Sequence, residues 1–260
     1  MSEGSVDRGL FARFLRQRDE LGLGPLFLDE LDREKVLEIV RSSRTGVASA
    51  PDRGAAAQPN AKTESRKTAA RRTAQPAEGY EALREEALGC TLCRLCEGRT
   101  QVVFSDGVVD GRLMVIGEAP GANEDRTGLP FVGAAGQLLD LMLASVDLSR
   151  ERNVYICNVL KCRPPGNRDP LPDEIETCAP YLRRQIELVR PEAILAVGSF
   201  AARWLTGAES PLGKLRGSVY SYEGVPVVVT YHPAALLRNQ GWSRSTWDDL
   251  QLLRQVMEGG

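Results

Sequence analysis

Long apolar stretches are missing from this 260-residue sequence. No segment approaches the roughly 20 uninterrupted apolar residues that a membrane-spanning helix needs. The amino-terminal residues MSEGSVDRGLF also lack the apolar core of a secretory signal peptide. A cytoplasmic protein without a membrane partner is therefore expected, and a monomer is the default.

A strong excess of either charge is also missing, because 33 basic and 35 acidic residues give a formal charge of -2. The charges are nonetheless spread unevenly along the chain. Residues 1–40 carry 6 basic and 9 acidic side chains, whereas residues 41–80 carry 8 basic and 3 acidic ones. Residues 81–260 carry 19 basic and 23 acidic side chains. This slight acidity argues against indiscriminate nucleic-acid binding by the last segment.

Composition divides the chain into three segments. Residues 41–80 contain only Val47 and Tyr80 as large apolar side chains, too few to bury a core. We predict a disordered basic linker here, which either attracts phosphates in a salt-dependent way or is an inert tether. Residues 1–40 are predicted to be a short helical extension, because four apolar side chains follow helical spacing. These are Leu10, Phe11, Phe14 and Leu15. The extension either binds a protein partner or folds back on the core.

From residue 81 onward, apolar segments alternate with longer amphipathic ones, as in a parallel sheet covered by helices. The predicted strands are 112–117, 153–159, 193–198 and 225–230. The predicted helices are 134–146, 173–189, 199–206 and 246–257. The predicted fold is α/β, a three-layer α/β/α sandwich around a central, mostly parallel four-stranded sheet in residues 81–260. Since ligands bind beyond the carboxyl ends of such strands, the loops after Ile116, Val159 and Thr230 should form one site.

The first of these loops contains glycines and acidic residues. The run Gly117-Glu118-Ala119-Pro120-Gly121 is followed by Glu124 and Asp125, and then by Phe131 in a second Gly/Pro-rich run. Glycines allow close approach of the backbone to a ligand, and Phe131 offers a flat face for stacking. Phosphate binding, ordinary turns and base binding all remain open from these residues alone. The acids, and the absence of a lysine after the glycines, weigh against phosphate binding.

The other two loops each offer one side chain suited to a base. Asn158 has both a donor and an acceptor, which suits the O4 and N3–H edge of uracil and mismatches the amino group of cytosine. A structural amide that caps the loop is the alternative. His232 is the only histidine in the sequence. A lone histidine is more often structural, but its position beside two ligand-shaped loops favours a functional role.

Six cysteines lie in the predicted domain: Cys90, Cys93, Cys96, Cys157, Cys162 and Cys178. The expected cytoplasmic location favours a metal site over three disulfides. Cys90 and Cys93 form a chelate with a two-residue gap, and two distant cysteines would complete four thiolates. Zinc and an iron-sulfur cluster both accept four cysteines, so both remain open here. Cys96 repeats the gap and competes as a ligand.

Three ordered motifs resemble those of a known family. They are GEAPGANEDRTGLPFVGAAGQLLD, NVLKCRPPGNRDPLPDEIETC and YHPAALLRN. Together they resemble the family 4 uracil-DNA glycosylases of bacteria and archaea, over about residues 81–255. The resemblance implies a base-excision repair hydrolase that flips uracil out of DNA and cleaves its N-glycosidic bond, leaving an abasic site.

The resemblance also implies roles for individual residues. The predicted uracil-binding residues are Gly117, Glu118, Ala119, Phe131, Asn158 and His232. The transition state places negative charge on the uracil oxygens, where His232 is expected to donate a hydrogen bond to O2. A carboxylate should act near the sugar and the attacking water. Glu118 is the first choice for this role, followed by Asp125 and Glu124.

The last motif and the cysteines complete the implied site. Leu236, Leu237 and Arg238 are predicted to wedge into the DNA stack, with a buried helix start as the alternative for the leucines. Gln240 replaces the family's usual proline, which leaves the stiffness of this loop in doubt. The ligands implied for a [4Fe-4S] cluster are Cys90, Cys93, Cys162 and Cys178. Cys96 and Cys157 are then spare thiols.

Three alternatives belong to other functional classes. A related group traps uracil-DNA covalently through a histidine in a loop after the second motif, but residues 163–170 contain no histidine. A non-catalytic uracil-DNA-binding replication accessory protein is the second, although the combination of Glu118, Asn158 and His232 favours an enzyme. The third is a zinc-stabilised DNA-binding protein without glycosylase activity.

Overall fold

A computed structural model describes residues 79–259 of the chain. The predicted extension 1–40 and nearly all of the predicted linker 41–80 lie outside this range. Among the described residues, no helix is both long enough and apolar enough to cross a membrane.

Six strands form one sheet in the order β1-β3-β2-β4-β6-β5. Their bounds are Asp106–Gly107 (β1), Leu113–Gly117 (β2), Val154–Asn158 (β3), Ala193–Val197 (β4), Val219–Tyr222 (β5) and Val225–Thr230 (β6). The four inner strands are parallel, whereas β1 and β5 add to the two edges in antiparallel orientation. The predicted α/β sandwich is confirmed, and the sheet contains two edge strands beyond the four predicted.

Every residue of β2, β3 and β4 is buried, because helices cover both faces of the sheet. In the ladder, Val115 lies opposite Ile156 on one side and Leu195 on the other. Strands that are buried on both faces are typically continuous apolar runs, as these are.

The helices alternate with the strands along the chain. Their bounds are 79–88 (α1), Leu95–Gly98 (α2), Ala122–Thr127 (α3), Ala134–Ala144 (α4), Pro172–Val189 (α5), Ser199–Thr206 (α6), Leu212–Leu215 (α7), Pro233–Arg238 (α8) and Ser243–Glu258 (α9). Short 3-10 turns lie at Pro165–Asn167 and Gln240–Trp242. Helix α5 begins with a proline, and the Glu174 carboxylate accepts the Leu171 N–H at 2.9 Å. The four predicted helices correspond to α4, α5, α6 and α9.

Two apolar clusters pack on the opposite faces of the sheet. Met114 and Ile116 belong to one cluster, whereas Leu113 and Val115 belong to the other, as the two-residue period of a strand requires. Tyr80 is buried in the first cluster, and its hydroxyl lies 2.6 Å from the Ser105 hydroxyl. The folded region therefore includes a residue that composition assigned to the linker. The partners of Tyr80 are distant in sequence, so local composition contains no trace of them.

Candidate active site

A pocket of about 570 Å³ lies at the carboxyl ends of the parallel strands. Glu118, Asn158 and His232 line it, so the loops after β2, β3 and β6 form one site as predicted. The loop after β4 also contributes, through Gly198 and Ser199, and was not predicted. Because β3 and β4 lie on opposite sides of β2, the strand order reverses there. Open α/β sheets bind ligands at such a switch point. The reversal of strand order could therefore have predicted that the loop after β4 contributes to the site.

The pocket collects most of the predicted side chains but not all of them. The predicted residues that line it are Glu118, Ala119, Phe131, Asn158, His232 and Arg238. The predicted residues outside its lining are Gly117, Asp125, Leu236 and Leu237.

Glu118 directly follows β2 and is half-buried at the pocket wall. Burial raises the pKa of its carboxyl to about 7, and the nearby negative charge of Asp169 adds to this effect. A carboxyl with such a pKa changes charge near neutral pH, which is the property that a general base in this position needs.

Two neighbouring acids of α3 point in different directions. Glu124 lines the pocket, and its Oε1 accepts the backbone N–H groups of Val132 at 3.0 Å and Gly133 at 3.3 Å. Asp125 is only 5% exposed, and its Oδ1 accepts the Thr100 N–H at 2.8 Å. Since consecutive side chains on a helix point about 100° apart, only one of the two can face the pocket. Asp125 is not among the residues that line the pocket, and its carboxylate holds the loop at Thr100, so the catalytic role predicted for it stays a prediction.

Phe131 adopts a left-handed backbone conformation with φ of 53°. This region is unfavourable for a bulky residue and persists only where surrounding contacts enforce it. Arg150 donates to the Phe131 carbonyl at 3.0 Å and is also paired with Asp106 at 2.6 Å and Asp140 at 2.8 Å. Together with Glu124 on the following amides, Arg150 fixes the loop that presents the phenyl ring. Sequence reasoning missed Arg150, which lies in a loop without a recognisable motif.

Gly117 is required because a side chain at this position would clash with two site residues. A Cβ at this position would lie 2.4 Å from Asn158 Oδ1 and 2.6 Å from Phe131 Cζ. The glycine therefore allows the amide and the phenyl ring to meet behind the pocket wall.

Asn158 is held by a buried lysine. The Lys161 ammonium donates to the backbone carbonyl of Asn158 at 2.6 Å, and Lys161 is only 2% exposed. The backbone N–H of Lys161 points to the Cys178 sulfur at 3.3 Å. One residue thus connects the end of β3 with the cysteine-rich region behind the pocket.

His232 has a defined tautomer and charge. Its Nδ1 accepts the Ala234 N–H at 3.1 Å, so the proton of the neutral ring lies on Nε2. Burial, together with the positive charge of Arg238, lowers the pKa of the imidazole to about 4. The ring stacks beside Phe131, with centroids 5.5 Å apart. His232 is therefore a neutral hydrogen-bond donor at pH 7.

The three residues of the predicted DNA wedge lie in α8 and have different environments. Leu236 is 5% exposed and packs in the cluster beneath the pocket, whereas Leu237 is 44% exposed. Arg238 is exposed and lines the pocket. Leu236 is therefore a core residue, as the buried-helix alternative proposed, because successive helical positions face opposite environments. Of the three predicted wedge residues, Leu237 and Arg238 are the two that are exposed.

Five of the six cysteines line a separate cavity of about 20 Å³. They are Cys90, Cys93, Cys96, Cys162 and Cys178. Cys157 is buried in the main core instead. Arg99, which sequence reasoning missed, donates to the Cys162 sulfur at 3.2 Å. Among residues 79–259, no three histidine, cysteine or acidic side chains converge on the position of a single metal ion.

Comparison with known proteins gives a consistent result. Residues 104–251 match the sequence model of the uracil DNA glycosylase superfamily. The chain is 45% identical over 168 residues to a type-4 uracil-DNA glycosylase of Archaeoglobus fulgidus, covering 62% of this chain and 84% of the relative. For the type-4 enzyme of Thermotoga maritima the identity is 44% over 165 residues, covering 63% and 85%. For that of Sulfurisphaera tokodaii it is 40% over 188 residues, covering 69% and 85%.

Proposed function

This chain belongs to the uracil-DNA glycosylase superfamily and resembles its type-4 members over most of their length, and we propose that its pocket releases uracil from DNA. The reaction hydrolyses the N-glycosidic bond and leaves an abasic site for base-excision repair. The observation that carries this proposal is that a neutral, donating His232 and a Glu118 carboxyl with a pKa near 7 face one pocket.

The two groups suit the two ends of the breaking bond. As the bond breaks, negative charge develops on the uracil oxygens and positive charge on the sugar. A donor that is already oriented stabilises the oxyanion without reorganisation, and Nε2–H of His232 is oriented by the Ala234 amide. Glu118 in its ionised form accepts a proton from the attacking water and stabilises the positive sugar.

The remaining pocket side chains bind the base. Phe131 supplies an aromatic face for the extruded ring, and Asn158 supplies a donor and an acceptor for its edge. Gly117 and Ala119 allow the backbone after β2 to approach the ring. Arg238 lines the pocket and its neighbour Leu237 is exposed, so the two can replace the extruded base in the stack and contact the backbone of DNA.

Uracil release from a uracil-containing oligonucleotide tests the proposal. The full-length protein should release free uracil with multiple turnovers. His232→Ala and Asn158→Ala should lower turnover at least 100-fold while keeping the wild-type melting temperature, because loss of one transition-state donor costs about 100- to 1000-fold. A wild-type protein that binds uracil-DNA without releasing the base would support the non-catalytic accessory protein instead.

We propose that Cys90, Cys93, Cys162 and Cys178 hold a [4Fe-4S] cluster. These thiols come from three separate chain segments and line one cavity, where N–H groups point at two of the sulfurs. When bound, a cluster would supply a structural cross-link between the loop that joins α1 to α2, the loop after β3 and α5.

Single serine variants test the ligand set by metal content. Each of the four proposed ligands, when replaced by serine, should lose iron and sulfide from anaerobically purified protein. Cys96→Ser and Cys157→Ser are matched controls that should retain both. Iron loss in Cys96→Ser would redefine the ligand set, and stoichiometric zinc in a colourless wild type would contradict the cluster.

A further inference from the structure

Three side chains form a continuous stack beside the pocket. The Arg216 guanidinium lies 4.4 Å from the centroid of the Tyr231 ring. On Tyr231 lies Trp242, with centroids 4.5 Å apart and an interplanar angle of 9°. The order is therefore cation, phenol and indole, and the indole is the outermost layer.

The base of this stack is held rigidly in the core. Arg216 forms an ion pair of 2.6 Å with Asp249, whose side chain is 1% exposed. The same Asp249 oxygen accepts the Thr230 hydroxyl at 2.7 Å, and Arg216 also donates to the Ser245 carbonyl. A guanidinium fixed in this way also fixes the ring stacked on it.

The outermost layer lies at the rim of the uracil pocket. Trp242 is 37% exposed and lines the same pocket as His232 and Arg238. The carbonyl of Trp242 accepts the Thr246 hydroxyl at 3.0 Å, which holds the 3-10 turn on the start of α9. Because Tyr231 covers one face of the indole, a further stacking partner can use only the opposite face. No step of the hydrolysis described above uses this aromatic surface.

We propose that the outer face of Trp242 stacks a nucleobase of the DNA strand next to the extruded uracil. The inference rests on the proposed function, since binding of an extruded uracil in the pocket brings DNA to this rim. Extrusion removes the stacking partner of a neighbouring base, and an aromatic ring replaces that partner whatever the base is. The slightly acidic composition of residues 81–260 makes such an uncharged contribution to DNA affinity valuable.

Binding of the full-length protein to a single-stranded oligonucleotide tests the proposal. Two probes each contain a tetrahydrofuran abasic analogue, with the fluorescent base 2-aminopurine on its 5′ side in one probe and on its 3′ side in the other. Neither uracil nor catalysis is needed for this measurement. Wild-type protein should quench 2-aminopurine on one of the two sides. Trp242→Ala should abolish this quenching and raise Kd about 5- to 100-fold, the usual effect of losing one base–aromatic stack. Trp242→Phe should restore most of both signals.

The chain offers a matched control in Trp247. This residue of α9 is 44% exposed but does not line the pocket, so Trp247→Ala should behave as wild type. Wild-type affinity and quenching in Trp242→Ala would overturn the stacking proposal while uracil release by the wild type still supports the enzyme. A wild type without uracil release, but with quenching that depends on Trp242, would overturn the glycosylase and keep the stack.

Discussion

Glu118 and His232 show how one physical effect produces two different groups. Burial disfavours the charged form of each, so it raises the pKa of the acid to about 7 and lowers the pKa of the imidazole to about 4. Around neutral pH the histidine therefore stays neutral while the acid changes charge. This separation supports the donor role proposed for His232 and the base role proposed for Glu118.

The pH dependence of uracil release follows from these pKa values. Protonation removes the base, so kcat/KM should fall tenfold per unit as pH drops below about 7, with no contribution from His232 above about pH 5. Glu118→Gln should lose about 100- to 10000-fold in rate, together with this pH dependence. The measurement is uracil release between pH 5 and 9 at constant ionic strength. A wild-type rate that is flat across this range would contradict the role of Glu118.

Asp125→Asn is the contrasting substitution. The buried carboxylate accepts the Thr100 N–H, and weakening that bond should cost about 1–3 kcal/mol of unfolding free energy. Thermal unfolding should therefore shift to lower temperature, while kcat below the melting transition stays within a few-fold of wild type. A loss of turnover as large as that of Glu118→Gln, without lower stability, would restore the catalytic role to Asp125.

Arg150 is expected to act through the backbone of Phe131. Arg150→Ala removes the donor that holds the Phe131 carbonyl, so the left-handed backbone should relax and the ring should leave its position. We expect KM to rise and kcat to fall, with partial recovery in Arg150→Lys, which keeps one donor. Steady-state kinetics and melting curves separate this effect from simple unfolding. Unchanged kinetics in Arg150→Ala would show that Glu124 alone holds the loop.

Within α8, adjacent leucines should respond in opposite ways. Leu236→Ala creates a cavity in the core and should cost about 2–5 kcal/mol of stability. Leu237→Ala should leave stability unchanged but slow uracil release from duplex DNA more than from single strands, since a wedge matters only where a stack must be opened. Chemical denaturation and uracil release measure the two effects. Equal stability losses in both variants would contradict the division.

The elements that were predictable are those with a strong burial pattern. The inner strands are continuous apolar runs, and the long helices have a periodic apolar face, so both appear in the sequence. Strand β1 has only two residues, Asp106 and Gly107, and pairs through the backbone with β3. Such an edge pairing leaves no pattern in the side chains. Helices α2, α3 and α7 are also short, with four to six residues, so they show no periodic apolar face in the sequence.

The candidate site shows the same limit. Glu118, Asn158 and His232 were found because each lies at or within two residues of the carboxyl end of a buried strand, which fixes where it lies. The position of Asp125 outside the pocket lining could not be predicted, because its partner, Thr100, lies 25 residues earlier in the chain. Arg99, Arg150 and Trp242 were missed for the same reason, since their roles depend on contacts between distant segments.

At the scale of the whole chain, the basic segment predicted at residues 41–80 either attracts DNA phosphates or is an inert tether, and a deletion distinguishes the two. Deleting residues 41–78 removes 8 basic side chains and ends before Tyr80, which the core requires. The slope of log Kd against log salt should flatten by about 0.9 for each duplex phosphate that the segment no longer neutralises. Replacing the eight basic residues by glutamine keeps the length and should have the same effect. An unchanged slope in both variants would identify the segment as an inert tether.

The arrangement of the sheet has a consequence for aggregation. Uncharged runs such as Leu113–Gly117 and Ala193–Val197 belong to the kind of segment that forms amyloid when its hydrogen-bonding edge is free. In the folded sheet these runs are internal, and the edges are short antiparallel strands of two and four residues. The hairpin that joins β5 to β6 therefore also covers the edge of β6, which would otherwise be free to pair with another chain. A refolding chain that pairs its parallel strands before this hairpin closes is the species most prone to self-association.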